Sequence, residues 1–254
     1  MNRRDFLKAA ALLGMGSLLP TSAWAIGEDT SFTIAKLRYD GPDWDPRPSA
    51  ARRLLLEVEK RTSIRVDTDT PTVTGETPEL FDYPFLAMCG EGEMKPLASE
   101  VVSNLRTYLK AGGFLLIDSS DGVSDGPFIE SATRELRRIL PDQKIASIPK
   151  DHVLYKSFYL IDDPVGRTSV SDRLGAVFGD ERLLAVISPN DLFGAWARDN
   201  FGNWEYSVSP GGERQREMAF RLGINLVMYA LTGNYKSDQV HVPFILKRRE
   251  WKVD

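Results

Sequence analysis

Residues 85–117 constrain the fold more than any other stretch. Phe85-Leu-Ala-Met-Cys89 is a nearly all-apolar run of strand length, the pattern of a strand buried on both faces. From Ser99, an N-cap residue, Val101, Val102, Leu105, Tyr108 and Leu109 recur at helical spacing. Gly112-Gly113 ends that helix, and Phe114-Leu-Leu-Ile117 is a second apolar run. Strand, helix, glycine pair and strand make a βαβ unit, whose crossover forces the two strands to be parallel.

The rest of the chain continues the alternation. Residues 33–39 alternate apolar with polar and read as a first strand, followed by a Pro- and Asp-rich loop over 40–48. Ser49 caps a helix over Ala50–Arg61, with Leu54, Leu55 and Val58 on one face. A short strand is expected over 64–68 and a Thr- and Pro-rich connector over 69–79. A helix over 130–140, strands over 144–148 and Leu183–Ser188, and a long helix over 213–231 follow. Residues 240–246 read as a further strand or as an arm over the domain. The pattern predicts a three-layer α/β/α sandwich around a mainly parallel, flavodoxin-like sheet. In such sheets ligands bind beyond the carboxyl ends of the strands. The segments there are 39–44, 89–93, 118–121 and 188–191. They predict one polar rim, with Tyr39, Asp40, Trp44, Glu91, Asp118, Ser119, Asp121, Asn190 and Asp191 as its ligand-binding candidates.

The first 25 residues are of another kind. Asn2-Arg3-Arg4-Asp5-Phe6-Leu7-Lys8 fits a twin-arginine export pattern. About 11 apolar residues follow, too few for the roughly 20 that span a bilayer. Pro20 and then Ala23-Trp24-Ala25 supply a helix stop and a small-x-small cleavage site. The expectation is a signal peptide handled by the twin-arginine translocase and cleaved after Ala25. It would release residues 26–254 as a single periplasmic α/β domain with no membrane span of its own. Cleavage removes Arg3, Arg4, Lys8 and Asp5, so the mature chain carries about six more acids than bases. That balance argues against nucleic acid or an anionic membrane as the main partner. Cys89 is the only cysteine, so no internal disulfide can form. His152 and His241 are the only histidines, too few for a His-rich zinc site.

Several segments together resemble one family. They are Arg38-Tyr-Asp-Gly, Tyr83-Pro-Phe, Leu105-Arg-Thr-Tyr-Leu-Lys-Ala-Gly-Gly-Phe-Leu, Pro149-Lys-Asp-His152, Asn190-Asp-Leu and the run from Arg221 to Gly233. The family is DUF4159, a bacterial group of undefined function. The resemblance implies a class I glutamine amidotransferase-like fold and brings no catalytic assignment. The resemblance further implies a setting beside integral membrane segments and chaperone-like ATPase partners, as in some relatives. In amidotransferases of that fold the nucleophilic cysteine follows the strand after the Gly-Gly turn. Here Asp118-Ser119-Ser120 holds that place, and no Gly-x-Cys-x-Gly or Gly-x-Ser-x-Gly elbow is present.

The candidate chemistry is therefore weighed residue by residue. Cys89 would need a base and a lowered pKa to act as a nucleophile; otherwise it is a small buried residue at a strand end. Ser119 with His152 is a second pair, with Asp151 or another acid orienting the imidazole; the alternative is a turn-stabilising histidine. Asp40, Asp43, Glu91, Glu93, Asp118, Asp121 and Asp191 are hard oxygen donors. They could hold a divalent cation or act as paired acid and base, or they are ordinary turn and cap residues. No cofactor is expected beyond that metal. Tyr39, Trp44, Trp196, Phe201 and Trp204 fall in expected loops, where they mark contacts with sugar or protein or cover the ends of the core. Residues 194–212 suit a lid or a partner-binding loop. Arg221 and Asn225 are read as structural. Two functions stay open. One is a non-catalytic binding or assembly module that holds a small polar ligand or a periplasmic or membrane-associated partner. The other is a hydrolase of an amide, ester or glycan using Ser119 or Cys89 with His152.

Replacing Arg3-Arg4 by two lysines should retain the precursor in the cytoplasm. N-terminal sequencing of the exported wild-type protein should begin at Ile26.

Overall fold

The two apolar runs of the βαβ unit become the centre of the sheet. In the computed structural model, which describes residues 31–179 and 182–232, they are β3 (Phe85–Gly90) and β4 (Phe114–Ser119). Every residue of both strands is buried, as the unbroken hydrophobic pattern requires. The other strands are β1 (Ala35–Arg38), β2 (Thr72–Thr74), β5 (Ile145–Ser147), β6 (Gly175–Phe178) and β7 (Leu183–Ser188). They form one seven-stranded sheet in the order β2-β1-β3-β4-β7-β6-β5. The five strands from β2 to β7 pair in parallel, and β6 and β5 close the far edge antiparallel.

The helices are α1 (Ala50–Arg61), α2 (Ser99–Lys110), α3 (Pro127–Ile139), α4 (Leu192–Trp196) and α5 (Gly212–Thr232). Alternation along the strands divides the core in two. Phe85, Ala87 and Cys89 join one hydrophobic cluster with Leu54, Trp196 and Leu222. Leu86 and Met88 join the other, with Leu105, Tyr108 and Leu136. A strand sends successive side chains to opposite faces, so α1, α4 and α5 supply one cluster while α2 and α3 supply the other.

Four local expectations are corrected. Residues 64–68 do not form a strand; only Val66 bridges, to Phe32. The edge strand beside β1 is Thr72–Thr74, inside the expected connector. Three β-branched residues follow Pro71 there, and Val73 buries its side chain. The strand Gly175–Phe178 carried too short a pattern to be separated from the loops around it. Helix α3 starts at Pro127, three residues before the expected start, with proline in the first turn, where its missing N–H costs nothing. Finally, Trp196 lies on α4 and is wholly buried rather than in a loop. The signal segment, His241 and the tail over 240–246 lie outside the described residues. Among the described residues no helix is long and apolar enough to cross a membrane.

Between β5 and β6 the chain runs through a long segment with one short 3-10 turn, Val153–Lys156. Its main chain is held from α5. The Asn225 amide oxygen accepts the N–H groups of Phe158 and Tyr159, and its nitrogen donates to the carbonyls of Leu154 and Tyr159. This bears out the structural reading of Asn225. Asn225→Ala would remove the side-chain bonds to four main-chain groups, of which the Leu154 carbonyl keeps the Ser157 hydroxyl. Urea denaturation should show a loss of about 3 kcal/mol, since each unsatisfied buried group costs roughly 1–3 kcal/mol and water can reach some of them.

Candidate functional site

The strand ends bring a row of polar side chains into register. Cys89 pairs with Asp118 and Asp118 with Ser188 across β3, β4 and β7, so the three share one face of the sheet. All three are buried. The chain leaves β7 through Pro189-Asn190-Asp191 and enters α4 at once. Asp191 makes the turn with φ 52° and ψ 62°, in the left-handed region that few non-glycine residues occupy.

Asp191 is the hub. It has no solvent exposure. Its Oδ1 accepts the main-chain N–H of Gly194 at 2.8 Å and the Ser120 hydroxyl at 3.3 Å. Its Oδ2 takes Arg47 Nη2 at 3.1 Å and also Arg167 Nε. Asp118 reaches across from β4 to the same helix end, accepting Leu192 N–H at 3.0 Å and Phe193 N–H at 2.9 Å. Two carboxylates thus satisfy the first three N–H groups of α4, which would otherwise be orphaned in the core. Arg216 closes the other end by donating to the Ala195 carbonyl.

The electrostatics follow from burial. Burial, then the neighbouring Asp191, pushes the Asp118 carboxyl up to about 7. Burial works against the Arg47 charge, but Asp191 outweighs it and holds the guanidinium charged. Cys89 Sγ lies 3.6 Å from Ser120 Oγ. Because the Ser120 hydroxyl is given to Asp191, the thiol is left to donate to Ser120. Burial first, then Asp118 and Asp191, raises the Cys89 thiol well above its ordinary value. That is the opposite of nucleophile activation.

The first two strands reverse order beside this row. The chain passes from β1 out to β2 and returns to β3 on the other side, which makes the β1–β3 gap the expected crevice. It is filled from within. The Tyr39 hydroxyl sits within hydrogen-bond reach of the Cys89 and Asp43 carbonyls, and its ring packs on Phe128. A Cβ on Gly90 would fall 1.9 Å from that hydroxyl, so only glycine lets the plug seat. Asp43 bridges to Glu91 over the top.

The expected rim therefore splits. Asp118, Asn190 and Asp191 are buried and engaged with the protein itself. Asn190 spends both amide groups on the loop over 164–171, accepting from Val170 and Ser171 and donating to Pro164 and Ser171. Ser119 is buried and accepts the N–H of Asp121, while Asp121 accepts from Gly92 and from Phe128 at the start of α3. Asp40 and Glu91 face solvent. Trp44 is half-buried beneath Lys36 and Arg38. Of the loop aromatics, Phe201 alone stands out, 92 % exposed. Among the described residues no cluster of His, Cys, Asp and Glu side chains is placed to hold a metal ion.

His152 is elsewhere. Its Nδ1 accepts Leu154 N–H, and its ring packs on Phe178 and Tyr229. Tyr229 in turn accepts the N–H of Leu183 at the start of β7. Ser119 lies at the other end of the neighbouring strand, about 16 Å away along a six-residue strand. No Ser119–His152 or Cys89–His152 pair forms. Arg47 and Arg167 were not singled out from the sequence. Each sits in a loop without a motif, and only folding brings them to an aspartate 144 and 24 residues away.

The chain matches the family model described as a domain of unknown function, DUF4159, over residues 33–231. It belongs to that family. The matched span takes in every described strand and helix except the last residue of α5, and with them the whole Asp191 cluster. No similar protein was found among curated proteins.

The buried Asp118 makes stability depend on pH. In the unfolded chain the carboxyl releases its proton near 3.8; in the DUF4159 domain it keeps it until about 7. Across that window the folded state binds more protons, so stability falls as pH rises through it. Thermal midpoints at pH 5 and 7.5 should show this fall in the wild type and a shallower one in Asp118→Asn, whatever the variant's absolute stability.

Proposed function

We propose that this chain is an exported periplasmic DUF4159 domain that binds or assembles rather than catalyses. We assign it the three-layer, amidotransferase-like sandwich. The two hydrophobic clusters on opposite sides of a mainly parallel sheet support that architecture. The observation that carries the functional reading is the Asp191 cluster. At the elbow position after β4, Asp118 accepts two main-chain amides, Ser119 accepts the N–H of Asp121, and Ser120 gives its hydroxyl to the buried Asp191, which two arginines and a main-chain amide also engage.

The hydrolase alternative gains nothing from the geometry. It needs a nucleophile within hydrogen-bond reach of a base. Cys89 is buried with a raised pKa, and Ser119 and His152 face opposite ends of the sheet. A binding domain needs only accessible chemistry at the rim. The twin-arginine pattern over residues 2–8 supports work in the periplasm, where a partner or a small polar ligand would be met.

Purified residues 26–254 should show no turnover above background on ester, amide or glycan substrates. Cys89→Ala and Ser119→Ala should leave that background unchanged. Turnover that His152→Ala or Ser119→Ala abolishes, in variants with native thermal midpoints, would overturn the proposal. Native mass spectrometry of the same protein from periplasm should show a retained ligand or partner.

A further inference from the structure

Arg167 is only partly used by the cluster it joins. Its main chain is fixed: the N–H donates to the Asp191 carbonyl, and its own carbonyl accepts from Ser209 and Gln215. Gly166 beside it packs so closely on Asn190 that a Cβ would fall 2.1 Å from that carbonyl oxygen. The side chain gives Nε to Asp191 and is a quarter exposed. Its two terminal amino groups have no partner among the described residues.

Three features surround that free end. Arg47, anchored on the same Asp191 oxygen, brings a second guanidinium; its side chain is nine-tenths buried and its Nε has no partner. Two cations therefore share one aspartate. The nearby carboxylates of Asp118 and Asp121 are turned onto main-chain amides. The loop after β4 also approaches: a Cβ on Gly122 would lie 3.9 Å from Arg167 Nη2, and Gly122 has a left-handed φ of +74°. The amides of Gly122, Val123 and Ser124 donate to no group among the described residues. Main-chain amides around a left-handed residue can form an anion-binding concavity. A guanidinium fork held by Nε presents two parallel donors suited to carboxylate or phosphate.

We infer that Arg167 and the amides of residues 122–124 form a subsite for the carboxylate or phosphate group of a small anionic ligand. It lies at the carboxyl end of β4 and beside the buried Arg47. This rests on the reading of the rim as a binding surface and specifies what it binds. Arg167→Lys keeps a charge for Asp191 but cannot also present the fork. Asp125 is the exposed acid of the loop, bonded only to Ser124. Its charge opposes an incoming anion, so Asp125→Asn should strengthen binding.

The test is an NMR titration of the mature protein with inorganic phosphate and, separately, citrate at constant ionic strength, with chloride as the control. In the wild type the amides of residues 122–124 should shift and saturate. Arg167→Lys should weaken binding at least about tenfold with little change in thermal midpoint. Asp125→Asn should tighten it about two- to fivefold. No saturable shift, equal affinity in Arg167→Lys, or shifts that chloride reproduces (an adventitious ion only) would each overturn the inference. Should Arg167→Lys unfold, an unchanged affinity in Asp125→Asn would do the same. Phosphate and citrate arms separate the two anion chemistries. A flat titration alongside a retained neutral ligand in native mass spectrometry would remove this subsite and leave the binding reading intact. Hydrolytic turnover would remove that reading and leave the titration standing.

Discussion

Asp191 joins parts of the chain that lie far apart in sequence. Its carboxylate takes Arg47 from the loop after β1, Ser120 from the loop after β4 and Arg167 from the long segment before β6, while it caps α4. Each buried charge here is costly alone. Breaking a buried pair by removing one partner typically costs about 3–5 kcal/mol, because the other charge is left uncompensated. The left-handed backbone at Asp191 adds strain of about 1–3 kcal/mol. The packing of three loops against one helix end sustains both. The carboxyl ends of β3, β4 and β7 are consequently a rigid knot and not an open crevice.

The segment between β5 and β6 shows the same logic without charge. It has little regular structure, yet it covers one side of the core, with Leu154, Tyr155 and Ile161 buried. Its main chain must find hydrogen bonds outside a ladder or helix. Asn190 and Asn225 supply them, each engaging two donors and two acceptors. A carboxylate could accept but not donate in these places, and a leucine could do neither. These amides hold Arg167 at the rim, so the candidate anion subsite depends on packing some distance from it.

The site was legible only in outline. Loops 89–93, 118–121 and 188–191 do meet at the strand ends, because a parallel sheet brings all its carboxyl ends to one side. Their individual roles were hidden. Asp118 and Asp191 read as exposed ligands, yet both are buried caps of a five-residue helix too short to carry a periodic signal. Tyr39 reads as a rim aromatic, but it plugs the crevice that topology would have opened. His152 sits near Asp151 in sequence, and only β6, β7 and α5 together reveal that it lies at the wrong end for Ser119.

Local sequence was decisive wherever the physics is local. β3, β4 and β7 are buried on both faces, so their unbroken apolar runs specify strands regardless of context. α1, α2 and α5 carry enough turns for their apolar faces to show. Edge strands of three or four residues bury too little for a pattern, and their partners decide whether they form at all; hence Thr72–Thr74 replaced residues 64–68 beside β1. Charge pairing lies furthest from local control. The sequence alone established a βαβ core and a polar set of strand ends. Only the tertiary structure decided that Arg47 and Arg167 would meet Asp191, because a buried carboxylate selects its partners by distance in space and not by distance along the chain.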